Sequence, residues 1–320
     1  MLNILNVFGE HFTPEARAIL EELGAVTART VNQKEVAKII GDYDVVVTGL
    51  YPEFSRGVLE KAGKLKAIAT VTTNLDHIDL ACAEERGVKV ISLRGEDTFL
   101  KTVTGTAELA AGLMLALSRM LPWAFEDVLS YRWNREAFRG HSLSGKTLGI
   151  VGLGRLGTWM ARYGRALNMR VIACSPHTDD SDFAKSDCER VDWDTLLRES
   201  DVISIHVHLK DDTEHMFNAA AFAKMKKDAI IVNTAVRNIV DDAAILTALQ
   251  KGTIGGYATD VLSDELEFDQ GFTNHPLVEY AKTHRNCIIV PHIGGMTHES
   301  RSATDIFIAK KLRDFLKKSS

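Results

Sequence analysis

The sequence predicts an α/β protein built from two Rossmann-like domains with parallel sheets. Short apolar runs alternate with segments of helical spacing along the whole chain, as parallel strands joined by crossover helices require. A glycine-rich turn, Gly152-Leu153-Gly154-Arg155-Leu156-Gly157, directly follows one such run and opens a helical pattern. The 320 residues, 45% hydrophobic and 25% charged, suffice for two cores of ordinary composition.

The elements follow in order. Leu2–Val7 reads as a strand and Thr13–Leu23 as a helix capped by Thr13. Asp44–Thr48, Ala67–Val71 and Gly87–Ile91 are the next strands. Thr104–Met120 is an almost all-round apolar helix, which reads as buried at a domain or subunit junction. Trp123–Arg139 carries aromatics and charges without a clean strand pattern, and reads as helical or extended surface for a partner subunit to cover. A second series then begins with the strand Thr147–Val151 and the helix Arg155–Leu167. Strands Arg170–Cys174, Asp201–Ile205, Ala229–Asn233, Gly255–Asp260 and Cys287–Val290 follow, with helices Asp192–Glu199 and Asp241–Lys251 between them. Thr304–Lys318 closes the chain as an amphipathic helix.

Composition narrows the function. A net charge of −5 gives no excess of cations to neutralise phosphates, so a nucleic-acid or anionic-membrane partner is not expected. Cys82, Cys174, Cys188 and Cys287 are scattered, which points to reduced thiols rather than disulfides or a metal centre. The start MLNILNVFGEHF has no basic n-region, and no stretch approaches the roughly 20 apolar residues of a membrane span. The expected compartment is the cytoplasm.

The glycine turn carries the first chemistry. Gly152 permits the tight turn, Gly154 lets the backbone approach a pyrophosphate, and Gly157 lets helix and strand pack closely. Arg155 and Leu156 open the helix, whose N-terminal N–H groups and dipole favour that anion. The next strand ends in Ser175 and His177, where NAD-specific loops place an acid to hold the ribose 2′-hydroxyl. Ser175 bonds a ribose but does not repel a 2′-phosphate, no Arg stands beside it to attract one, and His177 is only a partial substitute. NAD is therefore the expected cofactor, with NADP left open.

Three further segments fall into a recognisable order: Val232-Asn233-Thr234-Ala235, Thr259-Asp260-Val261 through Glu265, and Val290-Pro291-His292-Ile293-Gly294-Gly295. With the glycine turn, Leu65–Leu80 and Thr106–Glu108, the chain resembles the D-isomer-specific 2-hydroxyacid dehydrogenases, which include D-3-phosphoglycerate dehydrogenases. The resemblance implies a flavodoxin-like substrate domain of residues 1–100 plus 293–320, and an NAD(P)-binding Rossmann domain of residues 101–292. It implies His292 as the acid–base residue, Glu265 as its partner, and Asp260 at the nicotinamide carboxamide. Thr72, Thr73 and Asn74 would present backbone amides to the substrate carboxylate. Thr106, His206, Thr234, Ala235, Val236 and Gly294 would line the cofactor site. The implied activity is NAD(P)-dependent hydride transfer to or from a small 2-hydroxy or 2-oxo acid, phosphorylated or not, in a cleft of a homodimer built through the region 107–139. The residue types suit it: a ketone takes a hydride on carbon and a proton on oxygen, and a histidine carries that proton near neutral pH.

One departure matters. The family reads N-T-A-R-G-x-I-V-D, with the Arg clamping the substrate, whereas this chain reads Asn233-Thr234-Ala235-Val236-Arg237-Asn238-Ile239-Val240-Asp241. Valine donates no hydrogen bond, and a charge-assisted bond contributes about 1.5–3 kcal/mol. Arg237 through a changed turn, or Arg94 or Lys101, are the candidate replacements. A non-catalytic dinucleotide-binding sensor or scaffold, or a substrate without the usual carboxylate, are the rival readings. Leu266 in place of Pro and His208 in place of Pro are lesser departures.

Overall fold

The computed structural model of the chain describes residues 1–265, 268 and 272–318. Leu266, singled out above, lies outside the described residues. Twelve strands are described: β1 Leu2–Asn6, β2 Gly24–Ala28, β3 Val45–Thr48, β4 Ala67–Thr70, β5 Lys89–Ile91, β6 Thr147–Val151, β7 Arg170–Cys174, β8 Glu189–Arg190, β9 Val202–Ile205, β10 Ile230–Asn233, β11 Gly256–Thr259 and β12 Cys287–Ile289. They form two sheets, ordered β2-β1-β3-β4-β5 and β12-β11-β10-β9-β6-β7-β8, and every pairing is parallel.

The chain divides into two compact units. One is built from Met1–Val103 with the C-terminal segment from Met296 onward, the other from Thr104–Glu265 with Phe272–Gly295. The sequence reading set these crossings at 100/101 and 292/293. Asp260 accepts hydrogen bonds from the backbone N–H groups of Ile293 and Gly294, which keeps the segment after β12 with the second unit.

In the first unit the inner strands β3 and β4 are buried along their length because both faces are covered. Successive side chains point to opposite faces. Ile4, Val45, Val47, Ala67 and Ala69 enter one core with Ile308 and Leu312 of the helix His298–Lys318. Leu5, Val46 and Ile68 enter the other, with Val36, Leu59 and Cys82. The strand order is the flavodoxin-like one.

The second unit has the Rossmann order with one further strand, β12, at its edge. Leu148 and Ile150 of β6 pack with Ala110, Leu113, Met114 and Leu117 of the helix Gly105–Ser118 and with Met160 and Ala161 of the helix Arg155–Ala166. One expectation is corrected: the 22-residue stretch Asp97–Ser118 is long and apolar enough by composition to cross a bilayer. Ala110, Leu113, Met114 and Leu117 within it pack on the sheet, as residues of a core helix do.

Two local readings are also corrected. Thr13 makes no side-chain cap; its hydroxyl donates to Asp305 of the final helix at 2.9 Å. That helix begins at His298, six residues before the expected start. Trp123–Arg139 is in part helical, as read from the sequence: it holds the end of the helix Leu121–Leu129 and a short 3₁₀ turn, Arg135–Phe138.

Candidate active site

The C-terminal ends of the second sheet's parallel strands gather nearly every residue singled out for cofactor and acid–base chemistry. The order reverses between β6 and β9, and such a switch point is where ligands bind in open α/β sheets. β6 runs into Gly152, whose φ of +90° is the left-handed region, and a Cβ there would lie 2.6 Å from the carbonyl oxygen of His206. Gly157 is equally restricted, since a Cβ would meet the Gly152 carbonyl at 2.2 Å. Gly154 differs: a Cβ would meet nothing within 4 Å, so the space above it is open. Gly154 also begins the helix Arg155–Ala166 without a side-chain cap of its own, and a helix start favours an anion.

Among the described residues, Nδ1 of His206, after β9, and the hydroxyl of Thr234, after β10, are buried polar atoms around this turn without a partner. Unpartnered buried groups are costly and mark places where a ligand completes the bonding. His206 shares its Nε2 with the Ser204 hydroxyl at 2.8 Å, and burial and the charge of Arg155 push its pKa down to about 4. It is therefore a neutral hydrogen-bonding ring at physiological pH. An open glycine turn, an uncapped helix start and two orphaned polar groups fit a dinucleotide.

After β7, Ser175 pairs its hydroxyl with that of Thr178 at 2.8 Å, and His177 is exposed. The sequence reading found no Arg beside Ser175. The structure supplies one from the neighbouring strand: Arg190 of β8 donates to the carbonyls of Ser175 and Thr178. Its signal was the pairing of Ala173 with Arg190, which sequence spacing does not announce.

His292 follows β12 with a φ of +53°, a conformation uncommon for a residue other than glycine. Its Nδ1 lies 3.0 Å from both Glu265 oxygens, and the Glu265 side chain is 9% exposed. The backbone is held there from the far side. Asp260 accepts from Ile293 N–H at 2.6 Å and from Gly294 N–H at 2.8 Å. A Cβ at Gly294 would sit 2.9 Å from the Asp260 carboxylate and 3.1 Å from the Thr106 side chain, so glycine is needed for this approach. Burial raises the Asp260 pKa to about 6 against the two N–H donors and the nearby His292, which lower it. Asp260 thus acts on the loop that carries His292.

The turn after β10 differs from the expectation of a backbone altered at Arg237. Arg237 keeps ordinary φ, and Asn238 takes the left-handed position at +63°. Asparagine tolerates this conformation through its short polar side chain. Asn233 closes the turn, accepting from Ala235 N–H and donating to the Val236 carbonyl. Val236 is buried at 9% exposure and Arg237 is half-buried.

In the first unit, Thr72, Thr73 and Asn74 form the turn after β4. The Thr72 hydroxyl bonds the Asn74 carbonyl at 2.7 Å and is linked to Thr70, which reaches His77. Among the described residues, no acceptor takes the amides of Thr72, Thr73 and Asn74. Arg94, after β5, donates from Nε to the Thr73 carbonyl at 3.3 Å, and no carboxylate among the described residues pairs with it. Lys101 is exposed.

The profile described as D-isomer specific 2-hydroxyacid dehydrogenase, NAD binding domain, matches residues 111–294. The chain is 34% identical over 305 residues to D-3-phosphoglycerate dehydrogenase of Methanocaldococcus jannaschii, covering 95% of this chain and 56% of that protein. It is 35% identical over 292 residues to hydroxypyruvate reductase of Thermotoga maritima, covering 91% and 90%. The chain therefore spans little more than half of the first relative and nearly all of the second. Among solved structures, D-lactate dehydrogenase of Aquifex aeolicus, complexed with NAD and lactic acid, superposes with a TM-score of 0.86 at 26% identity, covering 99% and 96%.

Proposed function

We propose that this chain, which belongs to the D-isomer specific 2-hydroxyacid dehydrogenase family, is an NAD-dependent oxidoreductase acting on a small 2-hydroxy or 2-oxo acid. The observation that supports it most is the His292–Glu265 pair at 3.0 Å, on the strand ends that also carry the open glycine turn. NAD, when bound, supplies or accepts the hydride.

The chain's own residues do the rest. Gly152, Gly154, Gly157, Arg155 and Leu156 receive the diphosphate on the helix start. Ser175 and His177 meet the adenosine ribose, and Thr106, His206, Thr234, Ala235, Val236, Asp260 and Gly294 surround the remainder. Glu265 holds Nδ1 of His292, so the proton exchanged with the substrate oxygen is the one on Nε2. In reduction that proton neutralises the oxygen as the carbonyl carbon gains the hydride; in oxidation His292 takes it back.

The missing arginine at Val236 needs a replacement, and Arg94 is the best supported. It sits on the carbonyl of Thr73, in the turn whose three amides meet no acceptor among the described residues, and no described carboxylate takes its charge. A carboxylate held by these amides and this guanidinium needs no residue at 236. Arg94→Gln raises KM for the 2-oxo acid by about 10- to 150-fold, the worth of one charge-assisted bond. The test follows NADH absorbance over a panel of 2-oxo acids, with Arg237→Gln in parallel. Turnover with no rise in KM on losing Arg94 removes that role; a rise at Arg237 instead transfers it. NADH binding without turnover of any panel member selects the non-catalytic reading, which Val236 favours.

A second copy of the chain is the partner in this reading. Phe125, Leu129 and Trp133, 65%, 64% and 84% exposed, lie on or just beyond the helix Leu121–Leu129. Such an apolar surface marks an interaction site. The expected result of sedimentation equilibrium is twice the 35.3 kDa chain mass for the native protein and the single mass for Phe125→Asp; a native monomer removes the proposal. Cytoplasmic location, without nucleic acid or membrane as partner, completes it.

A further inference from the structure

We infer that the adenosine end of the second unit accepts a 2′-phosphate, so that NADP(H) is bound as well as NAD(H), and that Arg190 is the residue that determines this. The inference rests on the dinucleotide reading of the 152–157 turn. An acid after the second strand of such a unit bonds the ribose 2′-hydroxyl and repels a phosphate, whereas an arginine nearby accommodates one. Here β7 ends at Cys174 and the next residue is Ser175, which carries no charge.

Arg190 fills the second half of that rule from another strand. β8 pairs Ala173 with Arg190, which sets the guanidinium beside the end of β7. Nη1 donates to the Ser175 carbonyl at 3.3 Å and Nη2 to the Thr178 carbonyl at 2.5 Å. The guanidinium carbon stacks 4.0 Å from the centroid of the Phe183 ring. Two carbonyls and an aromatic face thus hold a planar cation in place next to the hydroxyls of Ser175 and Thr178; these bond each other at 2.8 Å, which leaves one O–H of the pair to donate to a phosphate. An arginine fork matches phosphate geometry in two places and loses little freedom on binding when already held.

The loop also carries Asp179, Asp180 and Asp182. Asp180 pairs with Arg190 Nη2 at 2.9 Å, but its side chain is 96% exposed. An exposed pair of this kind is weak and screened by water and salt. A phosphate of nearly two charges displaces it and leaves Asp180 to solvent.

The experiment measures Kd for NADPH and NADH by fluorescence, and for adenosine 2′,5′-bisphosphate and 5′-AMP by calorimetry, on the full chain. The native protein binds NADPH at least as tightly as NADH, to within about threefold, and prefers the bisphosphate to 5′-AMP. Arg190→Gln moves the NADPH-to-NADH affinity ratio by about tenfold or more toward NADH, and Ser175→Asp moves it the same way. A native protein that binds NADH but takes NADPH more than about tenfold less tightly, or a ratio that Arg190→Gln leaves unmoved, overturns the inference alone. Failure to bind either coenzyme overturns the dinucleotide reading beneath it.

Discussion

Replacing His292 by alanine lowers kcat roughly 10²- to 10⁴-fold, the range that positioned general acid–base catalysis supplies. The loss falls on the chemical step, because the ring meets Glu265 rather than the glycine turn. Its mark is the pH profile: whichever limb reports His292 flattens in the variant while the residual rate persists. Glu265→Gln gives a smaller loss in the same direction, since the amide keeps a hydrogen bond but removes the charge that stabilises the protonated ring. His292 is also held in a left-handed conformation that a non-glycine residue adopts only where its surroundings impose it. Alanine relieves none of that constraint, so the fold, read by circular dichroism, should persist. A His292→Ala enzyme with more than about a tenth of native kcat would exclude the acid–base role.

Gly152→Ala is the second large effect. The added methyl group would stand 2.6 Å from the His206 carbonyl oxygen on a backbone with φ of +90°. Strain at such a residue and overpacking together cost about 2–4 kcal/mol. Charged to coenzyme binding, that weakens NADH affinity roughly 30- to 1000-fold. Gly154→Ala separates coenzyme from fold. A Cβ there meets no protein atom within 4 Å, so stability is kept, yet the methyl group enters the space a diphosphate would use. Calorimetry showing native NADH affinity in Gly154→Ala would mean that the diphosphate does not lie on this turn.

The sequence made legible what depends on local pattern. Strands covered on both faces read as unbroken runs of Val, Ile and Ala, and the glycine turn stood directly after one of them. His292, Glu265 and the turn after β4 came from resemblance rather than from spacing, because residues distant in sequence converge only through the sheet. What escaped was edge structure. β2 is mostly exposed and β8 is two residues long, so neither has an apolar run to announce it. Arg190 was invisible for that reason, since only the pairing of β8 with β7 brings it to Ser175. Thr13 misled for another: a threonine before a helix usually caps it, but here a carboxylate far along the chain competes for the hydroxyl. At residues 236–238 the family pattern drew attention to Val236 and Arg237, whereas the left-handed position falls on Asn238, an asparagine that accepts it.

The bond between Thr13 and Asp305 spans 292 positions, and Asp305 is itself fully enclosed and joined to Arg301. During synthesis, the helix Pro14–Glu21 must therefore wait for nearly the whole chain before its packing surface is closed, whereas the strands β6 to β11 have their neighbours close behind them. Until the helix His298–Lys318 has been made, the apolar face of Pro14–Glu21 lacks its partner and is one a chaperone would meet.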